Sequence, residues 1–514
     1  MSAPERHPGL TGTVLRGISF SGSGYILSRG ITLVTYIVLA RLITPTELGD
    51  FTAGTFLIGI GVLFGGSGMA AAVIQRPDRI EEAAATAVVA TSLSGLLLAG
   101  LALATAPLIG LVFDSDTAAA VAAATAGVLF LDSARVIPNA LLQRRFSFLR
   151  RVIVQPVASL AFGVVAIIAT SEGMGVWGLV AGQYAFAVTD FVLSWSLVQW
   201  RPQLRLGSVP MWRELIRYGR HVLAGSLVRR VGDRVPILAA GSFVSTAALG
   251  QFQYANRIVT TSYTLLGASI GYVVFPAFAR IADDAARLRA AFLRSLRWMA
   301  VVAMGLGLLL IPLGEPLAIL VFGERWAEAG EAIVALALFV PGRALASVAG
   351  ECFKGAGVPA ERTRASVVGV TAGILTMVAL VPPLGLIGVA LGVTADALAT
   401  GLYSIHRAHR AIGMPLGEMV RRIAEPLAAG IPMVLLLFAL ERLVIDAASW
   451  STLLGLVLLA AEAALGILVY GVALSAISPA ATHDFKRLVR SFRNRKGAGR
   501  NTPEPVVEAP EIQA

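Results

Sequence analysis

The amino-acid sequence predicts an all-α integral membrane protein of about fourteen transmembrane helices, arranged as two pseudo-symmetric six-helix lobes plus two C-terminal helices. Three observations carry this: an apolar composition cut into span-length runs, a one-sided placement of arginine, and an internal repeat. The 514 residues are 56% hydrophobic and 14% charged, with a mean hydropathy of +0.76, against roughly 25% charged residues in an ordinary soluble domain. That composition excludes a soluble enzyme. A membrane helix takes about 20 apolar residues, so the chain divides into about fourteen spans with little left for an extramembrane domain.

Apolar runs of that length fall at 18–40, 51–72, 84–108, 117–138, 152–170, 176–199, 222–241, 246–275, 299–322, 332–350, 365–381, 386–405, 423–440 and 450–474. The segment 1–16 is polar and has no apolar core before a small-residue cleavage site, so the first span is expected to stay in the mature protein. Orientation follows from the 42 Lys and Arg residues, because basic residues near span ends stay cytoplasmic. With the N-terminus inside, 32 of them fall in cytoplasmic segments and only Arg41, Arg325 and Arg442 in the opposite loops. Both termini are therefore expected in the cytoplasm, and the net charge of +11 is mostly a topology signal. An anionic membrane face explains that surplus in so apolar a chain, and nucleic acid is not an expected partner.

The repeat sets the domain organisation. Leu48-Gly49-Asp50-Phe51 recurs as Leu249-Gly250-Gln251-Phe252. Leu129-Phe130-Leu131 with Arg135 recurs as Leu338-Phe339-Val340 with Arg343, and Gly175, Gly178 and Gly182 recur as Gly385, Gly388 and Gly392. Six spans separate the copies, so both halves insert with the same orientation. The expected units are a cytoplasmic N-terminus (1–17), an N-lobe (18–199), a cytoplasmic inter-lobe loop (200–221), a C-lobe (222–405), helices 13 and 14 (406–475), and a cytoplasmic tail (476–514), basic and then disordered.

Chemistry is largely excluded. None of the three lysines is followed by Ser or Thr, so there is no P-loop and transport would be secondary. Cys352 is the only cysteine, which rules out disulfides and thiolate metal clusters. His406 and His409 sit among arginines at a helix end and read as a basic cap rather than a metal site; no metal and no cofactor is expected. The short outer loops leave little room for an extracytoplasmic catalytic domain.

The informative residues are seven arginines inside spans: Arg29, Arg135, Arg229, Arg230, Arg234, Arg257 and Arg343. An arginine at the bilayer centre costs about 2.5–3.5 kcal/mol, so such residues usually face a polar cavity. Within one helix Arg230 and Arg234 would share a face, with Asp233 spaced to pair with Arg229 or Arg230. Two readings stand side by side for this cluster: an ion-pair network between lobes, and an anion site. Asp132, Asp190, Glu351 and Asp396 are spaced to neutralise arginines or to act as proton or cation sites. A basic cavity favours an anion, and guanidinium matches phosphate in bidentate geometry.

The residues 40–49 (Ala-Arg-Leu-Ile-Thr-Pro-Thr-Glu-Leu-Gly), Leu141 to Phe146, Gly175 to Val180, Asp233-Arg234, Leu249 to Arg257, Phe275 to Arg280 and Phe322 to Trp326 form an ordered motif set. Over about residues 10–480 the chain resembles the polysaccharide flippases, the Wzx-like branch of the multidrug/oligosaccharidyl-lipid/polysaccharide exporter superfamily. The resemblance implies a two-lobe transporter in the bacterial inner (plasma) membrane that moves undecaprenyl-pyrophosphate-linked oligosaccharide to the periplasmic leaflet. Membrane lipids, a polysaccharide polymerase and chain-length machinery are the further partners implied for exopolysaccharide, capsule or O-antigen synthesis. Arg229-Arg230 departs from the gentler stretch usual before the Asp-Arg pair and makes the expected cavity more basic. Arg29, Arg230, Arg234 and Arg257 are the expected anion ligands, with Arg135, Arg229 and Arg343 as further candidates. Asp233 and Asp396 are candidates for coupling to protons or sodium, alongside the membrane potential. A lipid II flippase, a drug/cation antiporter and a membrane polymerase are the rival readings.

Overall fold

The computed structural model describes residues 10–64, 66–144, 148–280, 284–355, 357–358 and 360–478. Arg6, Gly65, Arg145 and the tail from 479, with its seven basic residues, lie outside the described residues. Helices account for nearly all of the described chain, and no strand occurs among those residues.

The first helix, α1 (Leu10–Leu42), starts eight residues ahead of the first apolar run. Pro45 then opens α2 (Pro45–Gly54). The Thr44 hydroxyl accepts from Glu47 N–H, and the Glu47 carboxylate accepts from Thr44 N–H at 2.7 Å, which closes the capping box. The run 51–72 is not one helix. It continues as α3 (Phe56–Phe64) and α4 (Ser67–Gln75), interrupted at Thr55 and at Gly66, whose φ of +125° is glycine territory. There follow α5 (Ile80–Phe113), α6 (Asp116–Ala134), α7 (Val136–Arg144), α8 (Phe148–Ala169) and α9 (Val176–Leu197).

The stretch 200–221 departs from a simple loop. Ser208 caps α10 (Val209–Gly232) through its hydroxyl, with Pro210 in the first turn. After Asp233 and Arg234 the chain resumes as α11 (Val235–Phe243). Pro236 has no N–H to offer Gly232, so the helix breaks there. Arg229 and Arg230 consequently lie in the last turn of α10, and Arg234 caps the next helix. The expectation of Arg230 and Arg234 on one face of a continuous helix is thus corrected. Arg234 stands about 13 Å from the Phe243 end at 1.5 Å per residue.

The remaining helices are α12 (Thr246–Arg280), α13 (Ala285–Phe322), α14 (Ala327–Leu336), α15 (Phe339–Gly355), α16 (Ala360–Leu384), α17 (Leu386–Ile412), α18 (Leu416–Leu440) and α19 (Thr452–Ile477). The bend of 43° between α14 and α15 precedes Pro341. All fourteen apolar runs coincide with a helix or with consecutive helices. Nine helices among the described residues are long and apolar enough to cross a membrane, or ten if the bent pair is one span. Of the other four stretches, 45–75 and 209–243 are divided into consecutive helices, while 10–42 and 246–280 are each one helix. Together the four carry five of the seven span arginines.

The chain runs up and down. At one end Asp50 accepts from the Ser115 hydroxyl at 2.7 Å, Glu47 lies beside Gly175, and Val244 beside Gly385. At the other, basic end Ser208 donates to Glu82, Arg144 to the Val73 and Ile74 carbonyls, and Arg289 to the Ile412 carbonyl. Gly175 and Gly385, repeat mates in sequence, share one backbone conformation, φ 52° with ψ −125° and −122°, just ahead of α9 and α17.

Candidate functional site

The structure sorts the seven span arginines into three environments. Arg135, at the junction of α6 and α7, meets Asp190 of α9 at 2.7 Å and Asp132 at 2.8 Å. Gln155 and Ser194 also donate to Asp190, which is fully buried. Arg343 on α15, the repeat mate of Arg135, meets Asp396 of α17 at 3.3 Å, and Arg229 meets the same oxygen at 3.1 Å. Arg229 also binds Asp233 at 2.5 Å, and the Thr400 hydroxyl donates to Asp396. Breaking a buried pair costs far more than a surface pair, because the surviving charge has no solvent. Arg135, Arg229 and Arg343 are therefore held by carboxylates. Glu351 pairs with Lys354 rather than with a span arginine.

Arg230, Arg234 and Arg257 meet no carboxylate at ion-pair distance among the described residues. Arg234 reaches from the α10–α11 break to α3, where its guanidinium occupies the space a Cβ of Gly59 would fill, at 2.1 Å. Arg230 is exposed, and so is Arg29 on α1. Arg257 on α12 lies 3.3 Å above the ring of Tyr36 on α1, a cation–π contact that holds the charge without neutralising it. Tyr36 stacks in turn on Phe162 and accepts the Tyr254 hydroxyl at its carbonyl. Neither Tyr36 nor Gly59 was legible as a site residue: Tyr36 sits in an apolar run, and Gly59 is one of 53 glycines. At Gly61 the Leu129 side chain fills the space a Cβ would take.

A cavity of about 270 Å³ opens beside Arg229, Asp233 and Asp396, and Gln253, Asn256 and Thr260 of α12 line it too. Arg29, Arg230, Arg234 and Arg257 do not line it. Of the seven span arginines only Arg229 lines this cavity, and the three further candidates, Arg135, Arg229 and Arg343, are the ones paired with carboxylates.

The two ends are tied differently. At the basic-poor end, Trp326 donates to the Ala40 carbonyl at 2.9 Å, Arg41 to the Leu320 carbonyl at 2.6 Å, and Arg325 to the Ile43 carbonyl at 3.2 Å. Two of the three arginines that stood against the positive-inside pattern therefore tie α1 to the α13–α14 connection. At the basic end, the Gly68 and Gly219 backbones touch, Tyr218 donates to Gln75, and Arg76 meets Glu214 at 2.9 Å. The Arg76 guanidinium holds the Glu214 carboxyl below the usual carboxylate range.

An all-helical, multi-pass membrane protein with charged groups buried inside its spans is the class that fold and site define. A family profile described as polysaccharide biosynthesis protein matches residues 38–331, and the chain belongs to that family. Among curated proteins it is similar to the succinoglycan biosynthesis transport protein ExoT of Rhizobium meliloti, 23% identical over 63% of this chain and 66% of that one. It also resembles the teichuronic acid biosynthesis protein TuaB of Bacillus subtilis, 23% identical over 64% and 69%. With the lipopolysaccharide biosynthesis protein WzxC of Escherichia coli the identity is 24% over 61% and 64%. The matched stretch thus spans about two thirds of each relative's length. Among solved structures, lipid II flippase MurJ in an inward closed conformation superposes with a TM-score of 0.71 at 16% identity, over 89% of this chain and 98% of that one. An inward-facing multidrug resistance MATE family transporter gives 0.58 at 17%, over 76% and 94%. These likenesses define the fold.

Proposed function

We propose that this protein is a secondary transporter that flips undecaprenyl-pyrophosphate-linked oligosaccharide repeat units from the cytoplasmic to the periplasmic leaflet of a bacterial inner membrane. Lobes of six helices, 18–199 and 222–405, enclose the path, with helices 13 and 14 (406–475) beside the C-lobe and both termini in the cytoplasm. The observation that carries the reading is the pair Arg230 and Arg234, uncompensated at a helix break, with Arg234 extended from the C-terminal half onto Gly59 of the N-terminal half. Arg257, half-buried above its aromatic seat, and Arg29 extend the basic surface along α12 and α1. The repeat-related pairs Arg135–Asp190 and Arg343–Asp396 hold each lobe rigid.

A pyrophosphate carries about two negative charges, and each is worth about 2.3 kcal/mol per 100 mV. With the cytoplasm negative, export runs downhill on the membrane potential. No enzymatic step is part of this reading. The test is flipping of a labelled lipid-linked oligosaccharide in proteoliposomes, with lipid II as a parallel substrate. Arg230→Ala and Arg234→Ala should each slow export at least tenfold with normal folding. Full rates in both would remove the anion site, and transport of lipid II alone would move the substrate to cell-wall precursor.

A further inference from the structure

The last two helices hold charge that the arginine path does not use. Helix α18 ends in a π turn, Glu441–Ile445, and the Glu441 carboxyl there faces that of Glu462 on α19. Glu441 is 8% exposed and Glu462 is 2% exposed. Among the described residues, Glu441 Oε2 and both Glu462 oxygens have no hydrogen-bond donor. Glu441 Oε1 is satisfied by the Ala447 N–H at 3.0 Å.

Two carboxylates in contact without a donor cannot both be ionised, because like charge and desolvation act together. A single proton removes the conflict: an O–H on Glu462 donates to Glu441 Oε2, and two of the three orphaned oxygens gain a partner. Glu441, already fixed by Ala447, is the better acceptor, so Glu462 carries the proton. Glu441 also lines a cavity of about 950 Å³ between α13, α14, α17 and α18, at the basic-poor end. The other titratable groups of that cavity are Glu315 on α13, Glu331 on α14, and Arg442 and Asp446 beside Glu441; α17 contributes Thr394 and no charge. Four carboxyl groups against one guanidinium make its mouth attractive to cations. No cluster of three or more metal-ligating side chains occurs among the described residues, so the smallest cation fits best.

We propose that Glu441 and Glu462 form a proton-binding site, one proton held between two carboxyl groups and exchanged with the basic-poor face through this cavity. The site binds its proton whether or not Arg230 and Arg234 bind an anion. Infrared difference spectroscopy on the reconstituted full chain tests it directly, through the C=O stretch of a protonated, buried carboxylic acid. Wild type should show that band at neutral pH and lose it on alkaline titration. Glu462→Gln and Glu441→Gln should each abolish it, because the amide donates to the remaining carboxylate and leaves it ionised; both should remain monodisperse. The band should not respond to sodium. Absence of the band in wild type overturns the proposal without recourse to any variant. A band retained in both variants, or displaced by sodium at constant pH, overturns it as well.

Discussion

Gly49 of α2 sits against the Thr246 carbonyl so closely that a Cβ would come within 1.7 Å of that oxygen. Gly250 of α12 sits in the same way against the Pro45 carbonyl, where a Cβ would come within 1.9 Å. Gly49 and Gly250 are repeat mates, and so, at the same offset, are Pro45 and Thr246. The contact is therefore reciprocal, as about a two-fold axis. The glycines recognised in the sequence as a weak repeat motif are what lets the two helix starts cross backbone to backbone.

Gly49→Ala and Gly250→Ala should accordingly behave alike. Each forces backbone against backbone, with no flexible side chain to yield, and overpacking of this kind costs roughly 1–3 kcal/mol. Thermal unfolding in detergent should show similar losses for the two single variants. The double variant should lose less than their sum, because one displacement of α2 from α12 relieves both clashes. A large loss from one glycine and none from the other would break the reciprocity.

The buried pairs predict an asymmetry. Removing Arg135 leaves Asp132 and Asp190 together without a counter-charge, a loss of roughly 3–5 kcal/mol by analogy with broken buried pairs. Removing Arg343 leaves Asp396 with Arg229 at 3.1 Å, so Arg343→Ala should cost clearly less than Arg135→Ala. Unfolding midpoints of the two variants check this. Arg343→Ala as the more damaging change would show that Arg229 does not hold Asp396 in solution.

Arg257 on the Tyr36 ring is a separable contact. Tyr36→Phe keeps the π face and should keep both stability and export. Tyr36→Ala removes the face along with the stacking on Phe162, and aromatic deletions in a core cost roughly 3–5 kcal/mol. Tyr36→Leu keeps most of the apolar bulk but loses the ring, and with it the cation–π contact, about 0.5–2 kcal/mol, and the stacking on Phe162; export should fall below that of Tyr36→Phe. Equal export by the Phe and Leu variants would give Tyr36 a packing role alone.

These contrasts mark where the sequence was legible. Apolar runs coincide with helices among the described residues, because the membrane imposes length and hydrophobicity directly, but they missed the helical start of α10 at 209–221. Breaks were harder: Pro236 and Gly66 divide stretches that read as single spans, and the breaks decide where Arg229, Arg230 and Arg234 point. Arginine depth was readable as unusual, yet not its resolution, since Asp396 lies 167 residues from Arg229 and nothing local pairs them. Arg41 and Arg325 were read as exceptions to a topology rule. Their donation to carbonyls far along the chain gives them a different purpose.

At the basic end, Arg76 and Glu214 should make the α4–α10 contact sensitive to acid. Because the folded carboxyl titrates below its ordinary range, its contribution is complete above about pH 4.3, the unfolded value, and fades as the pH falls below that. Spin labels at Asp78→Cys and Arg213→Cys, in a Cys352→Ala background, should report a short distance that broadens in acid. Glu214→Gln should broaden it at neutral pH and remove the acid response. A wild-type distance that stays fixed in acid would take the pair out of the seam.

Arg41 and Arg325 tie the opposite end, and their loss should loosen it without unfolding the protein. A hydrogen bond to a charged group contributes roughly 1.5–3 kcal/mol, the upper part of which these exposed guanidinium groups will not reach, so about a tenfold shift per arginine is expected. Hydrogen–deuterium exchange should speed by about that factor in the peptides around 38–48 and 318–330 in Arg41→Ala or Arg325→Ala, and further in the double variant. The fully buried Trp326, bound to the Ala40 carbonyl, should keep the melting temperature close to that of wild type. Unchanged protection in the double variant would assign closure of this end to the Trp326 and Tyr254 cluster, with the arginines as passengers.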